Sequence, residues 1–408
     1  MINIEELVNE KSGLINYFSR IDPKPHSPKM HRYLATIKNP STLGVQEISG
    51  SGFSLIEENA KYAAVGEAIE RYCARIESNS EVFESTYKNI KTKKVDINTI
   101  TKHQKFQYEN IDFLQPFEEN KEIKWTKVIN YFSNELYVAP NELVYLNPLK
   151  RDKPFRDIIS TGLACASSIN SAILSALNEC IERDAFMLFW LLGKVNFEIK
   201  VDKINNSFFK KLFIIIKNCN LDIKIYDITQ KDLNIPTILC VVKRRGRKGF
   251  YVSCASHFDY STAVKKSIEE GLGGFGAYIE SIYYYKTPVP KSIDEIRTLD
   301  DHALYYLAGN NDTVLDFLIG EPKTIAFSLV ENITSDKESL MKKFQELKYD
   351  IYFKDLTTID IKEIGLCVVR VITPQLVFLS AGPPMLDCSR LYQKTKGQNI
   401  NMEPHPFP

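Results

Sequence analysis

Apolar residues return at helical spacing through 171–192, at Ile173, Leu174, Leu177, Ile181, Ala185, Leu188, Phe189 and Leu192. This predicts a long buried helix. Further helices are expected over 4–17, 208–217, 261–282 and 335–347. In the last, Ser335 is placed as the cap, with Glu338 three residues on completing a capping box. GLGGFG at 271–276 is expected to loosen or kink the helix that contains it. No strand immediately precedes that run, so it is not a dinucleotide fingerprint.

Between the helices run short apolar and β-branched stretches that read as strands: FEIKV, LDIKIYDI, TILCVVKR, FYVSCASH, TIAFSLV, DIYFKDL, LCVVRVI and LVFLS. KWTKVINYF and ELYVAPNELVYL give a peripheral β-rich insertion around 78–155. Two runs of small residues, SGSG at 49–52 and STGLACASS at 160–168, read as loops feeding helices, and Ser167, Ser168, Asn170 and Ser171 are the candidate caps of the second helix. Strands outnumber helices but alternate with them, which gives an α+β fold with large mixed or antiparallel sheets. Residues 1–48 form a lead-in segment, and 49–408 the main domain.

The long helix carries acids where its pattern asks for apolar residues. Glu179, Glu182 and Arg183 share roughly one face. Carboxylates in so apolar a segment are costly unless paired. Arg183 can neutralise one; the other asks for a bound cation or a further basic group. The same E-x-x-E-R pattern stands 112 residues earlier, as Glu67, Glu70 and Arg71, on a helix made apolar by Ala63, Ala64, Ile69 and Tyr72. Two readings are open. The helices carry structural ion pairs, or four carboxylates converge on Mg²⁺ and a nucleotide, since Mg²⁺ takes oxygen ligands from a few carboxylates and from phosphates.

Composition narrows the field. The net charge of +1 over 408 residues draws the chain to neither nucleic acid nor membrane, and no apolar run reaches spanning length. The eight cysteines form no Cys-x-x-Cys pair, and several sit in apolar runs, as reduced buried thiols of a cytoplasmic protein do. The C-terminus reads NMEPHPFP, with proline at 404, 406 and 408. Proline at every second position favours a stiff, extended path that delivers the group on Pro408 to a defined place.

These residues carry a resemblance. Ser175-Ala-Leu-Asn-Glu179-Cys-Ile-Glu182-Arg183 fits the Ser-x3-Glu-x-x-Glu-Arg motif of the YcaO family, and Glu67, Glu70 and Arg71 fit its earlier motif. The STGLACASS loop, the 355–376 segment, the alternating prolines and GLINYFSR near residue 13 are similar to its azoline-forming, SagD-like branch (the streptolysin-type cyclodehydratases). The resemblance implies a YcaO-type fold, with Glu67, Glu70, Glu179 and Glu182 holding Mg²⁺ and with Ser175, Arg71, Arg183 and Glu270 serving ATP. It implies catalytic roles for Arg183 and for a C-terminal carboxylate on Pro408.

The implied activity is the ATP-dependent cyclodehydration of a ribosomally made precursor peptide, giving thiazoline or oxazoline rings as in thiazole/oxazole-modified microcins and bacteriocins. The implied partners are that precursor peptide and a leader-binding protein resembling ubiquitin-activating enzymes. There is room for a flavin-dependent dehydrogenase and for a homodimer within the complex. The chain departs from the pattern at Ser51, where the family has lysine and Lys61 is the candidate substitute. It departs again at Ala263 and Gly274, where a third motif has serine and glutamine. Two alternatives stay open: a thioamide- or amidine-forming enzyme of the same family, and a docking scaffold subunit with a decayed nucleotide site.

Overall fold

The computed structural model describes residues 4–9, 13–38, 47–77, 81–146, 153–201 and 206–408. Among the described residues there are three sheets, and a long helix lies between two of them. The short helix α1 (Ile4–Leu7) leads into β1 (Ile15–Arg20), β2 (His31–Ile37) and β3 (Ile48–Ser54), an antiparallel three-stranded sheet. The helix expected over 4–17 is therefore cut short. The amide of Asn9 donates to Ile15 O and that of Gly13 to Asn9 O, which turns the chain back into a strand.

The SGSG run is strand, not loop. It forms the middle of β3, and its glycines serve helix packing. Helix α2 (Glu57–Cys73) lies directly on them, with Ala60, Ala64 and Ala68 fully buried. A Cβ on Gly50 would stand 2.3 Å from Ala64 O, and one on Gly52 2.0 Å from Ala60 O. No residue with a side chain fits at either position.

The second sheet contains β4 (Val82–Thr86), β5 (Glu122–Asn130), β6 (Leu136–Pro140), β7 (Leu163–Ala166), β13 (Tyr352–Asp355) and β14 (Cys367–Ile372). Strand β5 pairs with β4, β6 and β13, and it buries Trp125 completely. Strands β4, β5 and β6 of the 78–155 segment are thus built into the body through the β5–β13 pairing rather than laid over it.

The third sheet runs β11-β10-β9-β8-β12, from β8 (Phe197–Lys200), β9 (Leu221–Asp227), β10 (Thr237–Arg244), β11 (Phe250–Ser256) and β12 (Thr324–Ala326). Only β12 and β8 pair in parallel. Past Ala326, TIAFSLV turns into a short 3-10 helix, and 376–380 does not pair as a strand.

Helix α3 (Ile169–Leu192) lies between these two sheets, touching β7 and β14 on one side and β10 and β11 on the other. Its N-cap is Ser168, whose side chain accepts from the Ser171 amide, and it ends on Gly193 in the left-handed conformation. Helix α4 (Ser207–Asn218) covers β9, and α5 (Tyr260–Tyr283) covers β10 and β11. The expected kink in α5 is absent: the helix runs unbroken through GLGGFG. Those glycines are contact points. A Cβ on Gly271 would be 2.8 Å from Ser253 Oγ, one on Gly273 2.6 Å from the Phe53 ring, and one on Gly274 2.1 Å from Tyr251 Oη. The helix over Lys337–Glu346 is capped by Asp336, which accepts from the Ser339 amide, and not by Ser335.

Candidate active site

Helices α2 and α3 bring their glutamates to opposite sides of strand β7 and the turn before it. Glu70 Oε1 accepts from the Cys165 amide at 2.7 Å, and Glu179 Oε2 from the Gly162 amide at 3.1 Å. Those amides are three residues apart on one short stretch of backbone, and the two carboxylates are near enough for Glu179 to raise the Glu70 carboxyl. Gly162 is in the left-handed region at φ +88°, and a Cβ there would meet Val371 O at 2.4 Å. The small residues of 160–166 thus allow two carboxylates to be held on backbone amides.

The neighbouring acids follow the same plan. Glu67 Oε2 accepts from the Ser51 amide at 2.5 Å, and its other oxygen pairs with Arg71 at 2.7 Å. Arg71 also donates to Ser49 O at 2.7 Å. Glu182 Oε2 accepts from the Ser256 amide at 3.0 Å, and its other oxygen takes a hydrogen bond from Arg183 Nη1. Arg183 Nη2 reaches Glu179 Oε1 at 3.4 Å, so one guanidinium spans both motif glutamates of α3. Glu269 is spent structurally, accepting from Ser54 Oγ and the Leu55 amide at 2.8 and 2.7 Å.

These carboxyls are recessed but reachable. Side-chain exposure is 31% at Glu67, 26% at Glu179 and 13% at Glu182. Desolvation is the first cause that raises Glu70, Glu179, Glu182 and Glu270 above the usual carboxylate range. Glu179 and Glu67 raise Glu70 further, and Glu270 and Glu179 help push Glu182 up to about 8. Glu270 lies exposed on α5. The mutual repulsion shows that the five acids of α2, α3 and α5 form one cluster. Ser175 lies exposed on α3, one turn before Glu179.

The C-terminal segment ends beside this cluster. Trp190 Nε1 donates to Glu403 O at 2.8 Å, and His405 stacks on His302 at 4.2 Å between ring centroids. Phe407 lies 4.8 Å from the Phe186 ring and 4.2 Å beneath the Arg183 guanidinium. The next residue is Pro408.

Several participants carried little or no sequence signal. The amides of Gly162, Cys165, Ser51 and Ser256 are backbone groups, which no side-chain motif reports. Arg370 was legible as a charge within the apolar strand LCVVRVI. It is 2% exposed, donates to Leu143 O and Ile159 O at 3.0 and 2.9 Å, and lowers the Glu179 carboxyl. The departures also have physical explanations. Tyr251 fills the space that a side chain at Gly274 would need. Lys61, the candidate substitute for the missing lysine, pairs with Glu58 at 2.7 Å.

A magnesium nucleotide fits this donor set. Asn178 Oδ1, Arg183 Nε and Arg370 Nη1 are buried without hydrogen-bond partners, leaving an acceptor and two cationic donors over. Among the described residues no three acid, imidazole or thiol groups stand at direct metal-ligating spacing. Mg²⁺ does not require it, because it keeps water and phosphate oxygens as ligands beside one or two carboxylates.

Residues 50–377 match the family described as YcaO cyclodehydratase, ATP- and Mg²⁺-binding. The chain belongs to the YcaO cyclodehydratase family. An uncharacterised protein of Methanothermobacter thermautotrophicus is 24% identical, over 81% of this chain and 87% of that one. Among solved structures, a heterocyclase in complex with substrate and cofactor matches 99% of the chain at 21% identity and a TM-score of 0.78. The chain spans 56% of that heterocyclase, little more than half its length. The E. coli microcin synthetase McbBCD complex contains a chain matched over 98% of both, at 17% identity and a TM-score of 0.68. Both likenesses concern the fold. YcaO architecture is α+β, as observed here, and ATP and Mg²⁺ are the family's ligands. Among the described residues no helix is long and apolar enough to cross a membrane.

Proposed function

We propose that this YcaO protein is an ATP- and Mg²⁺-dependent cyclodehydratase that makes azoline rings in a ribosomally synthesised precursor peptide. The observation that carries the reading is the convergence of Glu70 and Glu179, from distant E-x-x-E-R helices, on the amides of Cys165 and Gly162. In this reading Glu67, Glu70, Glu179 and Glu182 hold Mg²⁺. Ser175, Arg71 and Glu270 contact the nucleotide, and Arg183 and Arg370 face the phosphates.

The chemistry asks for what these residues supply. A Cys, Ser or Thr side chain of the peptide adds to the preceding backbone carbonyl, and its proton passes to a base. The resulting oxyanion takes the γ-phosphoryl group of ATP, releasing ADP. Phosphate then leaves with the former carbonyl oxygen as the amide N–H proton is lost, and the C=N bond of the ring forms. An amide oxygen is a poor leaving group, so phosphoryl transfer has to be positioned and its charge neutralised. Mg²⁺ supplies charge neutralisation on the phosphates. Arg183 adds a guanidinium fixed by Glu179, Glu182 and the Phe407 ring. Where Pro408 is the terminus of the mature protein, its carboxylate follows the residue stacked on Arg183 and serves as the base.

The reading includes a separate leader-binding partner resembling ubiquitin-activating enzymes, and a cytoplasmic location. The McbBCD likeness favours a multi-subunit synthetase, in which a flavin-dependent dehydrogenase oxidises the ring. The test is Glu182→Gln assayed with precursor peptide. Peptide-dependent ATP hydrolysis and the loss of one water per ring, read by mass, should both disappear. Unchanged turnover would refute the metal assignment.

A further inference from the structure

A cavity of about 650 Å³ opens beside the C-terminal segment, away from the glutamate cluster. Its walls include the 108–114 turn, the 293–297 segment, and the tail itself at Met402 and Pro404. The tail is a shared partition. Pro404 lines the cavity, while Phe407, three residues on, lies under Arg183. Three extended residues cover about 10 Å, so the tail links the cavity wall to the Arg183 contact over a short distance.

The partition is firmly held. Tyr306 Oη donates to Pro404 O, and Trp190 Nε1 to Glu403 O at 2.8 Å. The cavity's own lining is loose by contrast. Ile293 and Met402 are 45% and 50% exposed. Exposed apolar groups in a concave wall mark a surface that something covers.

The chemistry of the lining selects the occupant. Apolar contacts come from Ile111, Phe113, Ile293 and Ile296. Between them stand Glu109, Asp112 and Asp294, against the cations Lys153 and Arg297. An excess of carboxylates repels a second nucleotide. Alternating apolar and polar walls suit an extended polypeptide, whose side chains and backbone groups alternate in the same way.

We propose that this cleft binds an extended, neutral-to-basic segment of the precursor peptide beside the tail that carries Phe407 to Arg183. The proposal rests on the peptide-modifying reading above. Phe113 packs against Gly382 in the cleft wall, where a Cβ would be 3.4 Å from its ring.

The test is fluorescence anisotropy on the full chain saturated with Mg²⁺ and a non-hydrolysable ATP analogue. The probes are two labelled twelve-residue Gly/Ser/Cys peptides, one with two lysines and one with two glutamates. The wild type should bind the lysine peptide more tightly. Ile293→Trp, which fills the cleft from its exposed rim, should weaken that binding at least tenfold and leave nucleotide affinity unchanged. Should the tryptophan variant fail to fold, the surface pair Asp112→Lys with Asp294→Lys is decisive, because it should reverse the preference between the two peptides. Equal binding by wild type and variants, or no preference in the wild type, overturns the cleft. A protein that hydrolyses ATP with its precursor yet ignores these substitutions loses the cleft and keeps the cyclodehydratase reading. One that binds peptide through the cleft but never binds ATP loses the reading instead.

Discussion

Glu182 and Asp184 stand two residues apart on helix α3, one facing the glutamate cluster and the other the core. Asp184 is fully buried and fully partnered. Arg390 Nε and Nη2 reach it at 2.8–3.1 Å, and the Val377 amide donates at 2.8 Å. Arg390 continues to Asp232 at 2.7 Å, where Lys394 closes the chain at 2.8 Å. Two acids meet two bases, and the Asp232 carboxyl is held well below its usual range by Arg390 and Lys394 despite its desolvation. Glu182 is less buried, yet desolvation and the neighbouring Glu270 and Glu179 push its carboxyl up to about 8, against a guanidinium that it shares with Glu179. A closed charge network holds the fold. An under-compensated one keeps its capacity for something that arrives later.

Removing each acid should therefore act in opposite directions. Asp184→Ala strands Arg390, 1% exposed, without its main counter-charge. A loss of about 3–5 kcal/mol is expected, read by chemical unfolding. A loss under 1 kcal/mol would mean that the network is not what braces α3.

Glu182→Gln should stabilise the nucleotide-free protein at high pH. Its folded-state pKa lies above the unfolded value, so its contribution to stability is present below about pH 4.5 and is lost as pH rises through about 8. Near pH 9 the wild type carries that penalty and the glutamine variant does not. A gain of roughly 1–3 kcal/mol is expected at pH 9, shrinking to nothing by pH 5, because neighbouring carboxylates share the effect. A variant less stable than wild type at pH 9 would show that Glu182 is a structural partner of Arg183, like Asp184 to Arg390.

The same raised carboxyl links nucleotide binding to protons. Magnesium is held by deprotonated carboxylates, so binding Mg²⁺ and ATP at pH 7 should release about one proton. Calorimetry in two buffers of different ionisation enthalpy reads this directly. Glu182→Gln should reduce the release, the raised Glu70 carboxyl supplying a further part, and a wild type that releases none removes Glu182 from the metal's surroundings.

What the sequence made legible follows the same division. Glu67, Glu70, Glu179, Glu182 and Arg183 were visible because charges interrupt apolar helical periods. The closed pair was half visible: Asp184 stands out in its helix, but Arg390 lies 206 residues away, and spacing says nothing about such partners. The small-residue runs were seen and misassigned. SGSG and GLGGFG suggest flexibility by composition, yet Gly50, Gly52, Gly271 and Gly274 stand where another backbone or side chain leaves no space for a Cβ. Local sequence carries conformational preference; close approach is a tertiary fact. The amides of Gly162 and Cys165 were invisible for a further reason, since every residue but proline has one and only the fold aims it.

The smallest expected effect tests how far the tail belongs to the open network. The Phe407 face under Arg183 offers attraction to the cation without competing for its hydrogen bonds to Glu179 and Glu182. Phe407→Leu keeps most of the apolar volume packed on Phe186 and removes the aromatic face. If the stack only fills space, Mg²⁺–ATP affinity stays at the wild-type value. If it fixes the guanidinium for the phosphates, affinity should fall about three- to tenfold, since a partly buried cation–π contact contributes about 1 kcal/mol. Stability cannot separate these outcomes, because the lost ring contact with Phe186 lowers it in both. The nucleotide titration can, because only a positioning role reaches the phosphates through Arg183.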